Sequence, residues 1–600
     1  MPLAIALLTG LAFAPALAGG FVWDDDFNLL GAADYRGFGA QQLRWMLTSA
    51  YMGHYHPLTW LSWALDYRLY GTEPWGYHLT NVALHAANAV LVYALLRALL
   101  AHAHPEDTGA AAPFAAAVGA LLVALHPQRV ESVAWVTERR GLLAGFFFLL
   151  AVLAYLRGTT ERPSGAWLAV SLVAWALSLL AKAWTMTLPF ALLVLDVYPL
   201  RRLQRSGWRA LLVEKIPYAV LAAAAAAMAA YAARASGAMM SLADLGPGER
   251  GVQALYGALF YVWKAVVPRG LSPLYPIESF HAASPAVRAT AAGALALTVL
   301  ILGGWRRWPA LAAAWACYLL LLAPVLGLAQ SGMQFAADRY TYLAIVPLAA
   351  LLAGGLERWL RSRPRHAAGL LPLAAAVLFA LVLATRHQIR FWTDARALWL
   401  RVVEVYPDSH NGWHNLGLVR LGAGEAAGMG DLDRAVALAP GFAPAFNSRG
   451  AARQAMGDLT GARADLDRAV ALTPTWPDPY NNRGNVRLAA GDVDGALADY
   501  DQVLVMAPGH LRARFNRALA RERAHDVKGA LADIDVLIVQ APDYAYGYAT
   551  RVRYRAALGD VDGALADCEQ ALRLLPPGSD DARKVTGYRA ALEERRAGQR

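Results

Sequence analysis

Long apolar runs separated by short polar clusters fill the first two thirds of the chain, and a different rhythm takes over in the last third. A helix needs about 20 apolar residues to cross a bilayer. Stretches at roughly 3–21, 80–100, 113–126, 141–157, 166–183, 184–199, 210–233, 288–304, 308–329, 341–359 and 368–385 meet or approach that length, so about eleven spans are expected. Leu255–Val267 is also apolar. It reads as re-entrant or interfacial, because a crossing there would throw the last two arginine clusters to the opposite side.

In the last third, Pro440, Pro474, Pro508, Pro542 and Pro576 follow one another at intervals of 34 residues, with Pro407 preceding them by 33. Gly450, Gly484, Ala518 and Val552 keep the same period. So do Gly457-Asp458-x-x-Gly461-Ala462, Gly491-Asp492-x-x-Gly495-Ala496 and Gly559-Asp560-x-x-Gly563-Ala564. A period of 34 with small residues, a glycine stop and a closing proline is the signature of tetratricopeptide (TPR) helix pairs. Clear repeats cover 447–582, a degenerate one precedes them at roughly 413–446, and a terminal helix follows. Such arrays present a concave groove to extended peptides or partner proteins. The expected fold class is therefore all-α: a polytopic membrane helix bundle followed by a TPR α-solenoid. The expected domains are 1–390 for the membrane part, a junction at 391–412, and 413–600 for the array, the halves meeting near Trp392–Arg401.

Composition supports the membrane reading. Of 600 residues, 57% are hydrophobic and 17% charged, against roughly 25% charged in soluble proteins. The net charge of +10 would suit nucleic acid, but the excess sits in clusters beside apolar runs: Arg201, Arg202 and Arg205; Arg306 and Arg307; Arg358, Arg361, Arg363 and Arg365. That placement sets membrane orientation and excludes a nucleic-acid partner. Cys317 and Cys568 are the only cysteines and suggest neither a metal cluster nor a disulfide scaffold. Met1–Gly20 ends in Ala-Leu-Ala-Gly-Gly, like a signal peptide, yet no Lys or Arg precedes its apolar run, so an uncleaved first span is expected.

With eleven spans and a cytoplasmic N-terminus, Arg157, Arg162 and the three arginine clusters all fall inside. The loop at roughly 22–79, the turn at Lys182, the segment Asp338-Arg339-Tyr340 and the repeat array then share the external side. For a bacterial chain this means the inner membrane, with the array extracytoplasmic.

The external side is dense in polar residues. Trp23-Asp24-Asp25-Asp26 follows the first span. Adjacent carboxylates raise one another's pKa by repulsion, and the run reads as a solvated helix end, a general base or a metal ligand. His54-Tyr55-His56-Pro57 follows, then Asp66. His78, Asn81, His85 and Asn88 share one helix face, His85 and Asn88 suiting interhelical hydrogen bonds. His126, Glu131 and Glu138 belong to a third cluster. Arg139, Arg140, Lys182 and Arg339 are cations placed against the orientation rule. They read either as interfacial snorkelling or as the means of neutralising an anion at the outer surface, for which a lipid-linked phosphate is the obvious candidate. Carboxylates, cations and histidines beside many aromatics suit transfer of a sugar from a phosphorylated lipid.

Several segments carry a family resemblance: Trp-Asp-Asp-Asp at 23–26, His-Pro-Leu-Thr-Trp-Leu-Ser at 56–62, Gly-Tyr-His-Leu-Thr-Asn at 76–81 and Leu-His-Pro-x-x-Val-Glu-Ser-Val-Ala-Trp-Val at 125–136. Ala-Lys at 181–182, Leu-Leu-Val-Glu-Lys-Ile-Pro at 211–217, Ala-Asp-Arg-Tyr-Thr-Tyr-Leu at 337–343 and the trailing repeats add to it. Over nearly its whole length the chain resembles bacterial relatives of the transmembrane-and-TPR protein O-mannosyltransferases, members of the C-type (GT-C) superfamily of polyprenyl-phosphate-sugar users. The resemblance implies an inverting transfer, of mannose in the family pattern, from a polyprenyl-phosphate donor to a protein Ser or Thr hydroxyl, with the repeats holding the acceptor. It implies Asp25, then Asp24, as catalytic carboxylates, and His56, Arg139, Lys182 and Arg339 as donor-phosphate ligands. Asp26, His78, His126, Glu131, Glu138 and Asp338 would support them, and a divalent metal, if used, would fall to Asp24 and Asp25. The short N-terminus departs from the family in lacking basic residues before the first span. The competing expectation is a non-enzymatic membrane anchor presenting the repeats to assemble envelope proteins. A transporter is disfavoured because no inverted repeat is visible.

Overall fold

The computed structural model describes every residue except 104–108, 160–163, 237–244, 329–331, 364–366 and 599–600; Arg162 and Arg365 therefore lie outside the described residues. The chain forms two compact units, Met1–Gly412 and Trp413–Arg600.

The first unit is a helical bundle. Five of its helices are long and apolar enough to cross a membrane: Pro74–Ala103, Val136–Gly158, Arg202–Ala235, Pro285–Gly303 and Gly369–Trp392. Two broken pairs, Ala111–Ala124 with Pro127–Ala134 and Asp338–Ala344 with Val346–Ser362, bend by 55° and 51° and qualify when each pair is taken as one span. Pro2–Ala18, Gly165–Ala181, Ala183–Val197 and Pro309–Val325 are shorter apolar helices. The expected apolar stretches coincide with these segments, and the chain reads as a multi-pass membrane protein. Leu255–Val267 falls in Pro247–Val266 and its C-cap Val267, a helix that carries Glu249, Arg250, Gln253 and Lys264 and is not among those apolar enough to span. Burial separates centre from periphery: 72% of the most apolar window of Val136–Gly158 is buried, against 11% for Arg202–Ala235 and 6% for Gly369–Trp392.

Three breaks in helical backbone bring polar residues into the bundle. At His126-Pro127 the chain goes extended and restarts with Pro at the first helical position, where no N–H is needed. Lys182 is extended between Gly165–Ala181 and Ala183–Thr187. The third break precedes Asp338, after a short antiparallel pairing of Tyr275–Pro276 with Gln334–Ala336. Non-helical backbone at membrane depth persists only where protein or a cavity satisfies its polar groups, so these breaks mark where a site can be built. The loop after the first helix folds onto the bundle through an aromatic core containing Tyr35, Trp60, Trp63, Tyr77 and Val136.

The second unit is a stack of helix pairs: Ala443–Ala455 with Leu459–Leu472, Pro477–Ala489 with Val493–Met506, Leu511–Arg523 with Val527–Gln540, and Ala545–Ala557 with Val561–Leu574. Ala427–Leu438 precedes them and Asp580–Gly598 closes the stack. The Gly-Asp-x-x-Gly motif has a local cause. Gly457 ends a first helix at φ +85°, a conformation that costs other residues, and Asp458 caps the next helix by accepting from Gly461 N at 2.8 Å. A Cβ on Gly461 would lie 2.1 Å from the Asp458 carboxylate, so the cap requires that second glycine. In the third pair His525 takes the left-handed position instead. Gly484 is small because its partner is large: a Cβ there would sit 2.6 Å from the Tyr500 ring.

An arginine ladder runs through the stack. Arg449 binds Asp465 at 2.6 and 2.9 Å and Asp433 at 2.8 Å. Arg483, Arg517 and Arg551 repeat this, each with the aspartates sixteen residues before and after it.

Candidate active site

The acidic run sits at a sharp turn. Trp23 adopts φ +60° and stacks on Trp135 with ring centroids 5.0 Å apart, which fixes the direction of the three aspartates that follow. Their environments are unequal. Asp25 is fully buried; it accepts from Thr137 N at 2.8 Å, Thr137 Oγ1 at 2.7 Å and Val22 N at 3.1 Å. Burial, then the neighbouring Asp24, pushes its pKa up to about 7 against those three donors. Asp24 is half-buried, and its Oδ1 is enclosed without a hydrogen-bond partner. Burial raises its pKa, and the Arg140 guanidinium opposes that rise. Asp26 is exposed.

Beside this turn lies a cluster of cations on one carboxylate. Glu138, fully buried, accepts from Lys182 Nζ at 2.7 and 3.0 Å and from Arg140 Nε at 3.1 Å, with Arg339 Nε at 3.8 Å. Arg339 also pairs with Glu131 through its guanidinium, and its backbone N donates to Glu131 at 2.8 Å. Lys182 lies over the Trp184 ring at 3.8 Å. Burial lowers its pKa to about 7, with Glu138 acting in the other direction. Three cations thus contact two carboxylates, and Asp24 takes part in no ion pair among the described residues.

These cations line one end of a cavity of about 680 Å³. His54, His56, Arg140, Lys182, Arg339 and Tyr340 form its polar end, and Leu179, Leu180, Leu221, Ala225 and Met228 form apolar wall. His56 stacks on Trp60 at 5.1 Å and its Nδ1 has no partner. Burial, then Arg140, lowers its pKa to about 3, so the imidazole is neutral.

Other expected site residues lie elsewhere. Arg139 is locked into the fold: it pairs with Asp66 at 2.7 Å and donates to Ser62 Oγ at 2.9 Å, to Tyr77 O at 2.7 Å and to Asn81. It lines no wall of this cavity; Arg140 does, because neighbours on a helix point about 100° apart. His78 contacts Gly20 O at 3.3 Å, His126 contacts Ala265 O at 3.0 Å, and Asp338 accepts from Tyr275 OH at 3.0 Å, each tying a loop to the bundle. His85 and Asn88 join helices, meeting Tyr342 OH at 2.9 and 3.0 Å. For a metal, both Asp25 oxygens are already taken by protein donors, and no group of three or more His, Cys, Asp or Glu is placed to hold an ion among the described residues. Thr137, which anchors Asp25, and Trp184 are parts of the site that sequence reasoning missed. Thr137 directly follows the Val-Glu-Ser-Val-Ala-Trp-Val motif and was visible as its neighbour.

No family model matches the chain. Protein O-mannosyl-transferase Tmtc2 of Drosophila melanogaster is 34% identical over 209 residues, covering 32% of this chain and 21% of that protein. Human protein O-mannosyl-transferase TMTC4 is 30% identical over 190 residues, 29% of this chain and 26% of that protein. The matched region thus spans about a fifth to a quarter of these curated relatives. Among solved structures, YrrB, a TPR protein with an unusual peptide-binding site, is similar over 31% of this chain and 95% of its own, at 16% identity and TM-score 0.26. PilW, a type IV pilus biogenesis factor, covers 34% of this chain and 92% of its own, at 18% identity and TM-score 0.31. The similarity to named O-mannosyl-transferases agrees with the resemblance carried by the motifs.

Proposed function

We propose that this chain is a membrane glycosyltransferase of the GT-C type that moves a sugar from a polyprenyl-phosphate donor to a protein hydroxyl. The observation that carries this reading is the cavity with a cationic end and apolar walls. It suits an amphiphile with an anionic head, which Arg140, Lys182 and Arg339 would face together. In the reaction, the acceptor oxygen bonds to the sugar's anomeric carbon as the bond from that carbon to the phosphate oxygen breaks. Arg140, Lys182 and Arg339 stabilise the charge gathering on the departing lipid phosphate. Asp24 takes the acceptor proton, a role supported by its unpartnered oxygen, while Asp25, held by Thr137 and Val22, positions the turn. The order of the two aspartates is thus reversed from the sequence expectation, and Arg140 takes the place given to Arg139.

Mannose and a protein acceptor are proposed from the names of the relatives, with the repeat unit recruiting the acceptor. An extracytoplasmic reaction at a bacterial inner membrane, with the repeats on that side, is proposed from the arginine distribution. Intact-mass analysis of envelope proteins from cells carrying wild type, Asp24→Asn or no copy tests the reading. A hexose-sized addition present only with wild type is expected; an addition that survives Asp24→Asn would sink the assignment of the base, and none with wild type would favour a scaffold.

A further inference from the structure

A second cavity, of about 370 Å³, lies elsewhere in the bundle. It is framed by Pro74–Ala103, Arg139–Gly158, Leu188–Val197, Pro309–Leu322 and Val346–Ser362. Along Arg139–Gly158, Arg140 faces the first cavity while Phe148 and Val152 line the second, about 12 Å or more further along the helix. Its wall is built of residues such as Leu99, Phe148, Leu195, Leu321 and Leu351, and Arg358 is the one charged lining residue among those described. A buried water needs two to four polar partners, which such a wall does not offer. An apolar cavity of about 150 Å³ accepts benzene, so on the same scale this one takes a chain of roughly fifteen carbons.

Two features say what kind of chain. Gly355 lines the cavity, is exposed, and a Cβ added there would meet nothing within 4 Å. The cavity is therefore open at that point, on a helix of the membrane unit, where a lipid chain can enter from the side. Arg358 lies less than one turn further on, is exposed, and makes no ion pair among the described residues. Arg361 and Arg363, also exposed, follow it. Arg361 reaches the buried Glu357 at 4.0 Å, so Arg358 is the uncompensated cation at the mouth of the apolar slot, and it complements an anionic head group.

We propose that this cavity is a binding site for an anionic phospholipid, one acyl chain filling the slot and the head-group phosphate resting on Arg358. The site shares no lining residue with the candidate active site, so it stands or falls independently of the proposed sugar transfer. The test uses the delipidated full chain in neutral detergent, its thermal unfolding midpoint being followed with phosphatidylglycerol, phosphatidylcholine or inorganic phosphate. Phosphatidylglycerol should raise the midpoint by several degrees, phosphatidylcholine by less, and inorganic phosphate not at all. Arg358→Gln should erase the difference between the two lipids. Gly355→Leu, which has room for its side chain and fills the mouth, should keep the lipid-free midpoint and lose most of the response to either lipid. Equal responses of wild type to the two lipids, a shift with inorganic phosphate, or an undiminished phosphatidylglycerol preference in Arg358→Gln would overturn the proposal. If Gly355→Leu fails to fold, the Arg358→Gln comparison decides alone.

Discussion

Both units of this protein hold charges away from water, and they do so in opposite ways. In the repeat unit the charges are matched. Arg483 bridges Asp499 and Asp467, Arg487 also reaches Asp499, and the next repeat copies the arrangement. In the membrane unit Arg139 with Asp66 follows the same rule, and so does the closed cluster of Arg202, Lys215, Asp196 and Glu214. At Glu138 the rule fails: Lys182, Arg140 and Arg339 crowd one carboxylate, with Glu131 as the only further ion-pair partner among the described residues. Matched buried charges serve the fold. A surplus facing a cavity is a standing demand for an anion, and this separates the candidate site from the other ion pairs of the molecule.

Removing the shared carboxylate should break the comparison most severely. Glu138→Gln leaves three cations in one buried place, and losing one partner of a buried pair costs about 3–5 kcal/mol. Denaturation of the full chain in detergent should show that loss, with partial recovery on adding a polyprenyl phosphate.

Titration should come next, with signs that differ by residue. Asp25, with its pKa raised to about 7 in the folded state, binds its proton more tightly folded than unfolded, so its stabilising contribution is present below about pH 4 and is lost as pH rises toward 7. Lys182, lowered to about 7, releases its proton earlier when folded; its contribution therefore grows as pH rises from 7 toward 10. Stability against pH for Asp25→Asn should lack the fall as pH rises from about 4 to 7, and for Lys182→Met the rise above about 7. Unchanged profiles would contradict the burial assigned to both groups.

In the ladder, Arg483→Met removes charged hydrogen bonds from the nearly buried Asp499 and should cost about 1.5–3 kcal/mol, with sugar transfer falling only as far as the fold does. Smaller still is Gly461→Ala, whose Cβ displaces the Asp458 cap; about 0.5–2 kcal/mol is expected, read from the isolated melting of that repeat by hydrogen exchange.

Much of this was legible from sequence because it is written in lengths and periods. Lipid crossing demands long apolar runs, and Pro440 to Pro576 declare the repeat directly. The choice between adjacent residues was not legible. Arg139 and Arg140 diverge because they open a helix, and only the fold shows that Asp66 and Asn81 claim the first of them. Asp24 and Asp25 differ because Thr137, 112 residues away from Asp25, turns its backbone N–H and its hydroxyl on Asp25, while Asp24 keeps one oxygen without a partner. The ladder was hidden for a related reason. Its partners stand sixteen residues apart, a spacing that no single helix or strand period marks.

The surplus at Glu138 is tested most directly by binding a polyprenyl phosphate without its sugar to the purified full chain. Lys182→Met and Arg140→Gln should each weaken binding about 10- to 100-fold, the worth of one charge-assisted hydrogen bond, while Asp24→Asn and the ladder variant Arg483→Met bind like wild type. Binding that ignores Lys182 and Arg140, or that falls as much in Arg483→Met, would contradict the account.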